Sequence, residues 1–213
     1  MHTYKLHIPK TARVSYSGSF ENCKRVWIVL HGYGQLSDYF IKHFDVLNDG
    51  TTLVVAPEAL SRFYTQGLSG RVGASWMTKE EREHDIQDNN QYLDLLWEDL
   101  KSRIQNPNPE LFVLGFSQGT ALAFRWLLHS GIRPAKLIQW AGMFPSDVSM
   151  PDLTNLLGET DAHIVYGTKD PYLTDDTIKN LYSLAEHHHW KVQYHTFEGE
   201  HTLNADILRR LNS

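Results

Sequence analysis

The sequence predicts an α/β fold: one domain over residues 1–213, with a mostly parallel central sheet, helices on both of its faces and no separate cap domain. Three observations lead there. Short apolar runs alternate with loops and amphipathic stretches, which is the rhythm of βα units. Some runs, such as Val26-Trp27-Ile28-Val29-Leu30, are apolar at every position, as a strand covered on both faces must be. Several runs end in glycine-bearing turns, the form expected where strands finish at one edge of a parallel sheet.

Taken in order, Tyr4–Ile8 and Arg13–Ser17 alternate polar and apolar residues and read as two edge strands, antiparallel to their neighbours. Residues 25–30 and 51–56 are buried strands, the second closed by Pro57. A long polar stretch from Glu58 to about Gln87 follows, holding Phe63, Tyr64, Trp76 and Met77. A loop of that length is either a surface excursion or a substrate-facing segment. Asp88, with Gln91 three residues on, reads as the capping box of a helix whose apolar face is Tyr92, Leu93, Leu96, Trp97, Leu100 and Ile104. Asn106-Pro107-Asn108-Pro109 stops it. Leu111–Leu114 is a further buried strand, and the helix from Thr120 to His129 is apolar nearly all round, with Gly131 at its C-terminal cap. Strands at 136–140, 162–166 and 191–197, a helix capped by Thr174 and a last amphipathic helix through Leu203, Ile207 and Leu211 complete the chain.

Composition narrows the function. Hydrophobic residues are 41% and charged residues 21%, so the chain can build a core and is not disordered. Net charge is −5, with no basic block, which argues against nucleic acid or an anionic membrane as partner. No apolar run approaches the roughly 20 residues of a membrane span, and residues 1–7 lack the apolar core of a secretory signal. With Cys23 as the one cysteine, no internal disulfide forms, and a cytoplasmic location is expected.

The decisive segment is Gly115-Phe116-Ser117-Gln118-Gly119, between a buried strand and a helix. A serine there sits on a sharp, strained turn that lifts its hydroxyl clear of the sheet, beside the free N–H groups of a helix start. A serine needs a base, and the base an orienting acid. Enzymes with this elbow place the acid after the serine and the histidine last. Asp170 follows the strand ending at Gly167, and His201 follows the strand ending at Phe197. Both fall at the edge where Ser117 lies. Asp161 precedes its strand and falls at the opposite edge. Asp175 and Asp176 suit the first turn of a helix, His195 lies within a strand, and His187 to His189 lie at a helix end. The backbone N–H groups of Tyr33 and Gln118 are assigned to an oxyanion hole. Gly32-Tyr33-Gly34 is no dinucleotide fingerprint, because Ser37 stands at its third glycine position. Trp76, Met143, Phe144 and Leu203 are expected near the acyl pocket, with Trp76 as one wall or as an anchor for the long segment.

The turns at 31–34, 115–119, 167–171 and 199–201 together resemble the α/β-hydrolase superfamily. More narrowly, they resemble its phospholipase/carboxylesterase branch, which includes acyl-protein thioesterases and bacterial carboxylesterases. The likeness runs from about Val26 to the last helix; Gly-Phe-Ser-Gln-Gly and Asp170-Pro171 are its most specific parts, and Ala74-Ser75-Trp76 is similar to the Ser-Trp stretch before the branch's long helix. The chain departs in carrying Tyr33 where leucine is usual, and Tyr172-Leu173-Thr174 after the acid. The resemblance implies a serine esterase of the carboxylesterase, thioesterase or lysophospholipase kind. Its substrate would be a small ester or thioester, cleaved through an acyl-enzyme with no metal or organic cofactor. The competing reading is a hydrolase-fold protein without activity that binds a ligand or partner, but no element of the triad or its glycine turns is broken.

Overall fold

The computed structural model describes residues 2–213. Seven strands form the central sheet in the order β1 (Val14–Ser17), β3 (Thr52–Pro57), β2 (Arg25–Leu30), β6 (Glu110–Phe116), β7 (Lys136–Trp140), β8 (Asp161–Gly167), β9 (Val192–Phe197). Only β1 is antiparallel to its neighbour. A separate antiparallel hairpin, β4 (Ser61–Tyr64) with β5 (Val72–Ser75), stands apart from the sheet.

The helices are α1 (Ser37–Phe40), continued as a 3-10 helix over Ile41–Leu47, α2 (Arg82–Arg103), α3 (Gln118–Ser130), α4 (Met150–Leu157), α5 (Asp175–His187) and α6 (Ala205–Leu211). The two-residue period of β2 shows how the layers form. Val26, Ile28 and Leu30 point to one face, where they join Leu93 and Leu96 of α2 and Phe124 and Leu127 of α3. Trp27 and Val29 point to the other, where they meet Phe40, Phe44 and Leu47 and the Ile207, Leu208 and Leu211 side chains of α6. Each face is dry, which is why these runs carry no polar position. Among the described residues, no helix is long and apolar enough to cross a membrane.

Three expectations are corrected. Residues 4–8 form no strand. The sheet ends at β1, and the arm instead lies beside α2, with Lys5 paired to Glu81 and with Leu6 and Ile8 lining a groove against Tyr92 and Leu95. Second, the long helix begins at Arg82, so Asp88 is interior and caps nothing. Its early turns are charged and expose no apolar period, but Glu83 and Asp85 favour the helix dipole there. Third, residues 58–87 are not one long loop: they contain the β4–β5 hairpin and the start of α2. α4 is a further helix, outside the elements expected from the sequence. It buries Met150, Leu153 and Leu157 and is capped at Ser149, whose hydroxyl accepts from Asp152 N–H. Thr174 and Gly131 cap as expected, Thr174 accepting from Thr177 N–H and Gly131 sitting at φ +69°.

Candidate active site

Strand register brings the turns together. Leu30 pairs with Gly115, Phe116 with Trp140, and Gly167 with Phe197, so the loops after five parallel strands leave the sheet at one edge. At the centre Ser117 bridges β6 and α3 with φ +54° and ψ −116°. A non-glycine residue there is strained and persists only where its surroundings hold it. The hold is visible: Ser117 N–H donates to Trp140 O at 2.8 Å, and the Thr120 hydroxyl donates to Gly115 O at 2.8 Å. A Cβ on Gly115 would come within 2.5 Å of Thr120 Cα, and one on Gly119 would overlap the Leu30 carbonyl oxygen. The two glycines are therefore a condition of the turn.

His201 Nδ1 donates to Asp170 Oδ2 at 2.7 Å. The other carboxylate oxygen accepts Tyr172 N–H at 2.9 Å, and the Asp170 side chain is fully buried. That bond leaves Nε2 of a neutral imidazole as a proton acceptor. The two loops are laced to each other. Thr168 N–H donates to Phe197 O and Lys169 N–H to Gly199 O, both at 2.9 Å, and a Cβ on Gly167 would lie 2.5 Å from Glu200 O. The imidazole packs against Phe116, with ring centroids 4.9 Å apart, and meets Tyr172 edge-on at 4.8 Å. The Trp140 indole N–H donates to Thr202 O at 2.9 Å. Trp140 thus bonds both Ser117 and the loop carrying His201.

The turn after β2 shows the same economy. Gly32 N–H donates to Gln35 Oε1 and Gly34 N–H to Ala74 O, both at 2.8 Å, and Gln35 N–H donates to Gly32 O at 3.3 Å. Among the described residues, Tyr33 N–H has no protein acceptor. Gln118 N–H, at the first position of α3, has none either. A Cβ on Gly32 would sit 3.2 Å from Ser117 Cβ, so the turn lies directly beside the serine. Asp161 lies at the opposite end of the sheet, 3.0 Å from His163 Nε2 and 3.4 Å from Lys136 Nζ.

The four side chains expected near the acyl group are scattered. Trp76 is buried, donates its indole N–H to His31 O at 2.8 Å and packs 4.9 Å from the His31 ring. Phe144 turns inward, 4.9 Å from Phe124 and 5.4 Å from Trp190. Leu203 packs on the α6 side of the core, and Met143 is 41% exposed. None of them lines the cleft of about 640 Å³ beside the glycine turn, which is walled by Gly34, Gln35, Tyr39, His43, Arg71 and neighbours.

Three further side chains support the site. His31 is fully buried; its Nδ1–H donates to Gly32 O at 2.8 Å and its Nε2 accepts Ala59 N–H at 3.1 Å. The accepting Nε2 marks a neutral ring, and burial pushes its pKa down. Glu58 buries its carboxylate at the end of β3, accepting Ser37 N–H at 3.1 Å and Arg62 Nε–H at 2.6 Å. Gln118 reaches into the hairpin segment: Oε1 accepts Trp76 N–H at 3.1 Å and Nε2 donates to Met77 O at 2.9 Å. Only Glu58, a lone carboxylate directly after a buried strand, left a signal in the sequence.

Comparison with known proteins agrees with this fold. A family model described as Phospholipase/Carboxylesterase matches residues 18–213. The chain belongs to the phospholipase/carboxylesterase family. Among solved structures, this family member is similar to the carboxylesterase of Mesorhizobium loti, with a TM-score of 0.71, 18% identity and coverage of 94% of this chain and 93% of that one. It is also similar to the Zea mays acyl-protein thioesterase 2, with a TM-score of 0.71, 14% identity and coverage of 95% and 96%. The Bacillus cereus carboxylesterase gives 0.67 at 19% identity, over 94% and 92% of the two chains. Identities this low speak for the fold alone. No curated protein sequence matches the chain.

Proposed function

We propose that this family member is a serine hydrolase that cleaves carboxylic esters or thioesters through an acyl-enzyme. Ser117 Oγ attacks the carbonyl carbon. His201 Nε2 takes the hydroxyl proton and returns it to the departing alcohol or thiol oxygen or sulfur. Asp170 holds the imidazole by its Nδ1–H and stabilises the imidazolium. The negative charge that develops on the carbonyl oxygen falls to the Tyr33 and Gln118 amides. Water, activated by the same imidazole, then frees the acid and restores Ser117.

The observation that carries this reading is the 2.7 Å His201–Asp170 bond at the sheet edge where Ser117 is held in its strained elbow. Family membership supports ester hydrolysis in general. The uncommitted Tyr33 and Gln118 amides support the oxyanion assignment, because every other amide of residues 32–35 already donates within the fold. The test is covalent labelling by a fluorophosphonate together with turnover of 4-nitrophenyl butyrate. Ser117→Ala is expected to abolish labelling and to lower kcat by about 10⁴-fold or more. A variant that keeps activity within tenfold of the parent would place the nucleophile elsewhere.

A further inference from the structure

The cleft beside the glycine turn has an uneven charge. Its floor and walls are apolar and aromatic, from Leu36, Tyr39, Phe40 and Val72, while its polar side chains are Gln35, His43 and Arg71. No carboxylate lines it, although the chain carries 25 acidic residues against 20 basic ones. Most arginines of the chain face a carboxylate, as Arg62 does Glu58, Arg125 does Asp147 and Arg103 does Asp99. Among the described residues Arg71 has no such partner, and its guanidinium makes no hydrogen bond to the protein. A second cation borders the same wall: Lys42 Nζ stands 5.4 Å from the centre of the Tyr39 ring. Gln35 stands between the cleft and the reaction centre: it lines the cleft, and its side chain holds Gly32, which lies against Ser117.

We propose that this cleft receives an anionic group of the substrate, so that the enzyme prefers esters bearing a carboxylate or phosphate remote from the scissile bond, with Arg71 as the specificity-determining cation. The guanidinium offers a planar fork of donors matched to either oxyanion. The proposal rests on the hydrolase reading above.

The experiment compares charged and neutral esters of matched length. On the acyl side the pair is mono-4-nitrophenyl glutarate and 4-nitrophenyl pentanoate. On the alcohol side it is the butyrate ester of 3-hydroxypropanoate and propyl butyrate. The anionic member of one pair is expected to have the higher kcat/KM, by about fivefold or more, and the ratio is expected to shrink in about 0.5 M salt. Arg71→Ala should bring that ratio to near one, Arg71→Glu below one, and Arg71→Lys should retain part of it. Ratios at or below one in both pairs, or a preference that survives Arg71→Glu, would overturn the proposal. Absence of turnover of all four esters would instead sink the hydrolase reading. The cleft is then judged by saturation-transfer NMR on the parent and on Arg71→Glu with monomethyl glutarate and dimethyl glutarate. Arg71-dependent binding of the monoanion alone supports the anion site, and equal binding of the two overturns it.

Discussion

At the residue scale, the position of a carboxylate relative to its strand decides its chemistry. Asp170 and Asp161 bracket the same strand, β8, one just past its end and the other at its first residue. Only Asp170 meets His201. We therefore expect Asp170→Asn to lower kcat by on the order of 10⁴-fold, because an amide favours the wrong imidazole tautomer. Asp161→Asn should stay within a few-fold of the parent. Steady-state kinetics on the two variants checks the ranking, and its reversal would refute both the topology and the triad. Gly119→Ala tests the elbow in a different way. The new methyl group has nowhere to go but into the Leu30 carbonyl, so the variant should lose fluorophosphonate labelling even where circular dichroism shows a folded chain.

At the scale of elements, the hairpin is held to the sheet edge by a few polar bonds around Trp76. The indole N–H to His31 O, the backbone N–H to Gln118 and the Trp76 carbonyl, which accepts from Asn89 Nδ2, tie β5, β2, α3 and α2 at one point. Truncation of a buried Trp costs about 3–5 kcal/mol, so Trp76→Ala should lower Tm by on the order of 10 °C in a chain of this size. Trp76→Phe keeps the ring and strands one buried carbonyl, at a cost of about 1–3 kcal/mol. Thermal unfolding separates the two. A Trp76→Ala variant with parental Tm and an altered acyl-length profile would make this side chain a pocket wall instead.

The same scale shows what was legible in the sequence. The strands were, because a strand buried on both faces leaves an uninterrupted apolar run, as in residues 26–30 and 111–114. The elbow was, because Gly115 and Gly119 answer a steric demand that no other residue meets. Residues 82–87 were not, since a charged helix start shows no apolar period. Tyr4–Ile8 misled for the opposite reason: alternation makes a strand only where the segment pairs with a sheet edge, and these residues lie beside α2 instead of along the open edge of β1. Bonds between distant segments, such as Gln118 to Met77, leave no local trace at all.

At the scale of the whole molecule, stability should depend on pH through three histidines. Burial lowers the pKa of His31, of His163 beside His195, and of His195 itself. Each is more readily protonated in the unfolded chain. The stabilisation is therefore fully present above the ordinary histidine value of about 6.5 and is lost as pH falls below it. Urea midpoints should drop between pH 7.5 and 5.5, and His163→Gln should remove part of the drop. A second loss follows at more acid pH. Hydrogen bonds from Arg125 hold Asp147 down to about 2 despite its partial burial, so its contribution is retained above the ordinary aspartate value and disappears as pH falls towards 2. A flat midpoint across the first window would contradict the assignment of neutral, buried imidazoles.

Gln118 joins two of these scales. Among the described residues its main-chain N–H is unpaired at the start of α3, directly after Ser117, while its amide side chain grips the end of the hairpin. A loop transplant must respect that double attachment. Exchanging residues 61–77 with the matching segment of another family member, while leaving position 118 alone, would set an unfamiliar backbone against an unchanged amide and tilt the start of α3. Swapping segment and residue together moves the attachment as a unit. Recombination libraries cut between the hairpin and the elbow should therefore lose activity more often than libraries that inherit the two from one parent.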